Sequence, residues 1–413
     1  MQSQIQSDIT ILGAGPAGIT AALQLGKEGI PCLLIDSGFS PRDKVCGDGL
    51  SGKVLNLLSK IDPEFCVELA NQPFVTHSMA VRFVSPKLYM TEIPFQSDNP
   101  AVPPGFICKR RDFDHFLLEK ALSWPSVTYM PGTRIEEIRK NGDAYLLLDA
   151  TGEVRAMTRL LLIATGSQRR AARPGFMDYL PVAREGIGVR AYFENVQGSN
   201  EKYAIEIHFL KELLPWYFWI FPFKDGSANV GLALPMHLAK KNPLSLKEQL
   251  FSIIETYPSL KVRFAGSRIA GKVEAHRLPI FTGRQPISGD RFMLLGDAAN
   301  LIDPFTGEGI SHAMISGYVA AKVARKCIEE SDFSANSTLQ YEKGVYDKLG
   351  SELELGMRLQ EMAAKPRLLN LVIGRASKSE KVRKLLEEML HSMNTKGKLS
   401  QPMFYLKLAL GIN

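Results

Sequence analysis

Gly13-Ala14-Gly15-Pro16-Ala17-Gly18 sets three glycines where a short apolar run, Ile9 to Leu12, meets a segment of helical spacing, Pro16 to Lys27. That context suits phosphate binding. Gly13 permits the tight turn, Gly15 lets the backbone approach a pyrophosphate, and Gly18 lets the helix pack closely on the strand. The helix N-terminus adds unpaired N–H groups and partial positive charge. After a second apolar run, Cys32 to Ile35, Asp36 is placed to accept from both hydroxyls of an adenosine ribose, a contact worth about 1.5 to 3 kcal/mol. The same carboxylate would repel a 2′-phosphate, which argues against NADP at this loop. By itself the loop does not separate FAD from NAD.

A second loop lies far along the chain, in RFMLLGDAANLIDPFTGEGI from Arg291 to Ile310. A buried-strand pattern ends at Gly296 and Asp297, and Pro304, Gly307 and Gly309 precede a helix. Asp297 can accept from a ribityl hydroxyl or help orient a pyrophosphate. The helix from Gly309 can direct N–H groups and its positive end at the N1 and C2 carbonyl region of a flavin, stabilising the anionic reduced form. Taken singly, such a loop is also readable as a strand-to-helix turn with aspartate as N-cap. Both loops acting on one molecule imply FAD.

Positioning these loops requires a doubly wound α/β sheet, opened by strand, helix and strand before Asp36 and resumed by the apolar strand Thr158 to Ala164 and by Arg291 to Leu295. Arg110 to Leu122 has helical spacing. Between about Gly186 and Pro235 the runs GIGVRAYFENV, YAIEIHF, WYFWIFPF and ANVGLAL predict an inserted antiparallel sheet. The expected organisation is a discontinuous, Rossmann-like FAD-binding domain at 1–72, 100–172 and 275–335, a β-sheet substrate domain at 73–99 and 173–274, and a helical region at 336–413 with basic residues in excess.

The 413 residues carry a net charge of +7 and lack the basic blocks interleaved with aromatics that nucleic-acid grooves use. The charge favours anionic partners, phosphates or a lipid surface. Cys32, Cys46, Cys66, Cys108 and Cys327 are scattered without CxxC spacing, so neither metal nor dithiol centre is expected. A reduced cytoplasmic setting is expected, with any membrane contact peripheral.

GAGPAG, the Arg110-x-x-Phe113-Asp114 segment and GDAANLIDPFTGEGI together resemble the p-hydroxybenzoate hydroxylase-like flavoproteins over residues 8 to about 330. The resemblance implies that Arg110 contacts the flavin side of FAD and that Thr165 and Gly166 line the same cleft. Thr165 stands where many relatives have aspartate, so no binding role is carried onto its side chain. The resulting cofactor residues are Gly13, Gly15, Ala17, Gly18, Asp36, Cys46, Gly47, Arg110, Gly166, Gly296, Asp297, Gly307, Gly309 and Ile310. Within that group, Lys44-Val45-Cys46-Gly47-Asp48-Gly49 and Tyr217-Phe218-Trp219-Ile220-Phe221-Pro222 resemble the geranylgeranyl reductase family. There the second segment, with a following glycine matched by Gly231, helps shape an apolar tunnel for an isoprenoid chain. Ala233 and Asp303 depart from the family pattern, where glycine or glutamine and asparagine are frequent.

Alternation puts Tyr217, Trp219 and Phe221 on one strand face, as a substrate wall or as the core face of a sheet. A long alkene needs a dry wall, since each buried CH₂ contributes roughly 0.8 kcal/mol. Cys46 is equally readable as a proton donor and as a small buried apolar residue. Cys46, Tyr217 and Trp219 are the catalytic candidates, whereas His276 beside Arg277 reads as structural.

The leading expectation is hydride transfer from reduced FAD to an isolated prenyl double bond, with NAD(P)H or a ferredoxin as transient electron donor. A rival is a flavin monooxygenase or halogenase on an aromatic or apolar substrate. Halogenases typically show W-x-W-x-I-P where Tyr217 and Phe221 stand, and Arg184 and Arg190 could serve a hydroxylase of aromatic acids. A non-catalytic electron-transfer or lipid-binding protein is the third reading.

Overall fold

The structure, a computed structural model, describes residues 5–96, 103–167, 184–199 and 201–391. Parts of the expected domains, 97–102 and 168–183, and the basic end 392–413 lie outside the described residues.

Strand β1 (Ile5–Leu12), helix α1 (Pro16–Lys27) and β2 (Cys32–Ile35) open the chain. Then come β3 (Gly49–Leu50), α2 (Gly52–Ile61), α3 (Pro63–Ala70), β4 (Thr76–His77), the hairpin β5 (Ala80–Val84) and β6 (Met90–Pro94), and β7 (Phe106–Ile107). Helix α4 (Arg110–Leu122) leads to β8 (Val127–Met130), β9 (Glu137–Asn141), β10 (Ala144–Leu148) and β11 (Val154–Ile163). Strands β12 (Arg184–Glu194), β13 (Ile205–His208), β14 (Phe218–Pro222) and β15 (Ala228–Pro235) precede α5 (Met236–Ala239), α6 (Leu246–Thr256), α7 (Pro258–Arg263) and β16 (Arg268–Ile280). The chain returns through β17 (Ser288–Gly289) and β18 (Phe292–Leu294) to α8 (Ile310–Glu330), α9 (Ala335–Ala363), α10 (Pro366–Ala376) and α11 (Glu380–His391).

In the first sheet β1 lies between β11 and β2, with β18 beyond β11 and β8 beyond β2, all parallel. Ile9, Ile11, Leu12, Leu160, Leu161 and Leu162 are buried, the continuous apolar runs that a sheet covered on both faces demands. Helices α1 and α8 pack against each other closely enough that a Cβ at Gly317 would stand 2.1 Å from the Ala17 carbonyl oxygen.

The second sheet has the order β16-β12-β15-β14-β13-β5-β6. Its pairs are antiparallel except β13 with β5, which run parallel, Ile205 facing Val81. The period of two along β14 divides its side chains: Phe218 and Ile220 pack with Leu250, Ile253 and Leu260 of α6 and α7, whereas Trp219 packs with Ile302 and with Ile373 of α10. One face of the sheet is therefore ordinary core, and the other looks toward the second glycine loop. Among the described residues no helix is long and apolar enough to cross a membrane.

Candidate active site

Each glycine of the first loop has its own physical reason. Gly13 has φ +111°, and a Cβ there would sit 2.3 Å from the Ala164 carbonyl oxygen; one at Gly18 would sit 1.9 Å from that of Gly13. Gly15, at the N-terminus of α1, has nothing within 4 Å of an added Cβ, so its bareness serves no internal contact and leaves room for a ligand. Asp36 is buried, and its carboxylate accepts from the Ala14 N–H at 2.6 Å, the Gly38 N–H at 2.8 Å and Arg42 Nη2 at 2.9 Å. A lone carboxylate would repel a 2′-phosphate; the adjacent Arg42 guanidinium offsets that repulsion, a counterweight that Asp36 by itself does not announce.

The second loop comes to rest against the first. Gly296 has φ +60°, and a Cβ there would meet the Cβ atoms of Ala313 at 3.0 Å and Ala17 at 3.4 Å. Asp297, on the 3-10 turn Gly296–Ala299, accepts from Lys44 Nζ at 3.0 Å. Burial pushes the Asp297 carboxyl up, but Lys44 outweighs it and holds the group below the usual carboxylate range. Gly309 precedes the helix that Ile310 begins, with Asp297 Oδ1 3.6 Å from where its Cβ would be. Lys44 Nζ also lies 3.8 Å from the Cβ position of Gly166. His276 joins this cluster, bonded to Ser167 Oγ at 2.7 Å and held below its ordinary pKa by burial and by Lys44. Its hydrogen-bonded character agrees with a structural histidine, yet its position beside Lys44 and Asp297 was not legible.

The Cys46 and Arg110 side chains also meet in the folded chain. The i, i+4 spacing of Arg110 and Asp114 on α4 yields a buried bidentate pair at 2.8 and 2.6 Å. Burial works against the guanidinium charge, and Asp114 together with the Cys46 side chain more than restores it. Asp48, fully buried with φ +69°, accepts from Asn229 Nδ2 at 2.6 Å, the Tyr192 hydroxyl at 2.8 Å and the Arg110 N–H at 3.2 Å. Burial nevertheless lifts its pKa to about 6.

Tyr217, just before β14, and Trp219 and Phe221 on that strand form one surface. Ring centroids of Tyr217 and Trp219 are 6.3 Å apart, and those of Trp219 and Phe221 are 6.4 Å apart. Two glycines make room for it. A Cβ at Gly231 would lie 2.3 Å from Trp219 Cζ2, and one at Gly47 would lie 2.7 Å from Phe221 Cε2. Tyr217 donates its hydroxyl to the Thr306 carbonyl, 3.3 Å from the Cβ position of Gly307. Trp219 Nε1 donates to Asn229 Oδ1 at 2.9 Å, and Asn229 Nδ2 donates to the Cys46 carbonyl at 2.7 Å. Sequence reasoning missed Lys44, Asp48 and Asn229; the first two lie in the Cys46 loop, a signal that was available, whereas nothing marked Asn229.

Open space at Gly15, two apposed glycine loops, the buried Asp36 and the half-buried Asp297 fit a dinucleotide held at two points. A digeranylgeranylglycerophospholipid reductase of Thermoplasma volcanium is 27% identical over 368 residues, 88% of each chain. Proteins of the same name match from Thermoplasma acidophilum, at 28% over 83% of each chain, and from Methanothermobacter thermautotrophicus, at 29% over 86% of each. The chain is a relative of these reductases. The resemblance carried by the Lys44 to Gly49 and Tyr217 to Pro222 segments thus extends over most of its length. No family model matches.

The fold is that of FAD-dependent flavoproteins. A geranylgeranyl bacteriochlorophyll reductase-like protein from Thermoplasma acidophilum superposes with TM-score 0.78 at 23% identity, covering 92% of this chain and 96% of that one. The flavin-dependent brominase Bmp2 gives 0.70 at 20% identity, covering 95% and 100%. A variant of the halogenase PltM in complex with FAD gives 0.72 at 17% identity, covering 98% and 90%. Reductase-like and halogenase chains share this architecture, so fold alone does not choose between reduction and oxygen chemistry.

Proposed function

We propose that this protein is an FAD-dependent oxidoreductase that reduces isolated double bonds of an isoprenoid chain. The observation that carries the reading is the Tyr217, Trp219 and Phe221 surface, tied through Asn229 to the Cys46 loop and lying beside Thr306 and Gly307. An apolar aromatic surface gives a long alkene affinity without polar handles. Gly13, Gly15, Ala17, Gly18 and the start of α1 would hold the pyrophosphate, Asp36 the ribose, and Asp297 the ribityl chain. Cys46, Gly47, Arg110, Gly166, Gly296, Gly307, Gly309 and Ile310 would line the flavin end. When bound, FAD supplies the hydride.

The chain's own residues position the alkene, exclude water and hold a proton. Tyr217 keeps its proton, because burial and the nearby Asp303 push its pKa up, and it commits that proton to the Thr306 carbonyl. In this reading Cys46 Sγ holds the proton for the second alkene carbon. Arg190 is bonded to Asp43 at 2.7 Å and lies 3.6 Å from Glu274. Its charge is therefore engaged, which disfavours a hydroxylase of aromatic acids; the Arg184 side chain lies outside the described residues. The electron donor in this reading is NAD(P)H or a ferredoxin, and the setting is cytoplasmic and peripheral to a membrane.

Anaerobic dithionite reduction of the FAD-loaded protein with geranylgeranyl diphosphate or a digeranylgeranyl lipid, followed by mass spectrometry, should show hydrogen pairs added to the chain. An unchanged lipid together with substrate-dependent oxygen consumption in air would replace this reading with a monooxygenase or halogenase.

A further inference from the structure

The hairpin between β5 and β6 has a tip that folding does not explain. Its turn closes through the Leu88 N–H to the Ser85 carbonyl at 2.8 Å, and Leu88 adopts φ +63°, the left-handed region that favours glycine or asparagine. The leucine side chain gains little burial there. Leu88 is 48% exposed, Tyr89 40% and Met90 55%. Three consecutive large apolar residues in water, one in a costly backbone conformation, point to a partner.

Helix α10 continues the same surface. The Lys87 N–H donates to Asn370 Oδ1 at 2.9 Å, and a Cβ at Gly374 would stand 2.9 Å from Tyr89 Cδ2. From Lys365 to Lys378 the sequence has Lys365, Arg367, Arg375 and Lys378 and no acidic residue, and all four, like Lys87, are exposed. An apolar tip beside a one-sign basic helix is complementary to a bilayer bearing anionic headgroups. The inner side of α10 completes the connection. Leu369 and Ile373 pack into the cluster that contains Trp219 and Ile302, so a single helix spans from the exposed tip to the aromatic surface.

We infer that the β5–β6 tip and α10 form a membrane-docking surface. Leu88, Tyr89 and Met90 enter the interface, and Lys87, Lys365, Arg367, Arg375 and Lys378 face headgroup phosphates. Resting on the isoprenoid reading above, this surface lets a prenyl lipid leave the bilayer along α10 and reach Trp219 without crossing water.

The test is cosedimentation of the FAD-loaded full chain with phosphatidylcholine vesicles, with or without phosphatidylglycerol. Binding should require the anionic lipid, weaken with salt, and fall roughly tenfold in Met90→Asp and in Leu88→Asn. Leu88→Asn suits the left-handed backbone, so its loss of binding cannot be charged to misfolding. Both variants should keep bound FAD and unaltered turnover of a detergent-dispersed substrate. Equal vesicle binding by wild type and variants would overturn the assignment, as would a concentration-dependent dimer that the variants abolish. Because the assay needs no turnover, vesicle binding without alkene reduction would remove the proposed reaction and leave the docking surface standing.

Discussion

The indole N–H of Trp219 donates to Oδ1 of Asn229 at 2.9 Å, while the amide of that asparagine reaches the Cys46 carbonyl and the Asp48 carboxylate. One residue thus sets the spacing between the aromatic surface and the cysteine loop. Asn229→Leu leaves the indole N–H, the Cys46 carbonyl and Asp48 short of partners in a buried place. The expected cost is about 1 to 3 kcal/mol in urea unfolding, with a fall in kcat larger than any rise in KM. A variant that unfolds like wild type and turns over normally would show that the bridge positions nothing.

Gly231→Ala forces a methyl to within 2.3 Å of both Trp219 Cζ2 and the Val189 carbonyl. The ring or the strand must shift, costing about 1 to 3 kcal/mol. A lowered Tm with altered preference among prenyl chain lengths is expected. Unchanged Tm and preference would mean that Trp219 rotates away freely and is no part of a shaped wall.

Asp48 supplies a pH signature. Burial lifts its pKa from 3.8 to about 6, so the folded protein holds that proton more tightly than the unfolded chain does. Its contribution to stability is complete below about pH 4, declines as pH rises through about 6, and is absent above. Across that window wild type should lose about 3 kcal/mol relative to Asp48→Asn. Parallel stability curves for the two proteins would place Asp48 in a wetter setting than its complete burial shows.

Lys44→Met strips the half-buried Asp297 carboxylate of its ion partner. FAD should then dissociate roughly tenfold more readily, because a phosphate-bearing ligand must approach an uncompensated anion, and the flavin midpoint potential should become more negative. Fluorescence titration and spectroelectrochemistry read these two effects. Tighter FAD binding would instead show that Lys44 competes with the cofactor for Asp297.

Cys46→Ser and Cys46→Ala separate the two readings of that residue. A proton-holding role predicts a large kcat loss for alanine, partial rescue by serine and unaltered FAD retention. Equal activity in both variants would leave Cys46 as a packing residue.

Local chemistry made much of this architecture legible. Proline at the first position and a regular apolar spacing bound Pro16–Lys27, and alternation puts Tyr217, Trp219 and Phe221 on one strand face, the three that share a cluster with Ile302 and Ile373. The glycines were readable because a tight turn or close approach forbids a Cβ by local sterics. The contacts that join the site were not. Lys44 meets Asp297 across 253 residues and Asn229 meets Asp48 across 181. The parallel pairing of β5 with β13 likewise joins distant segments. Periodicity states which way a side chain points along its own element; which polar group waits opposite depends on how two sheets and their connecting loops stack. That arrangement is set by the summed burial of many apolar residues, so local chemistry defines the elements and their faces, while their polar partners emerge only when the sheets and loops are assembled.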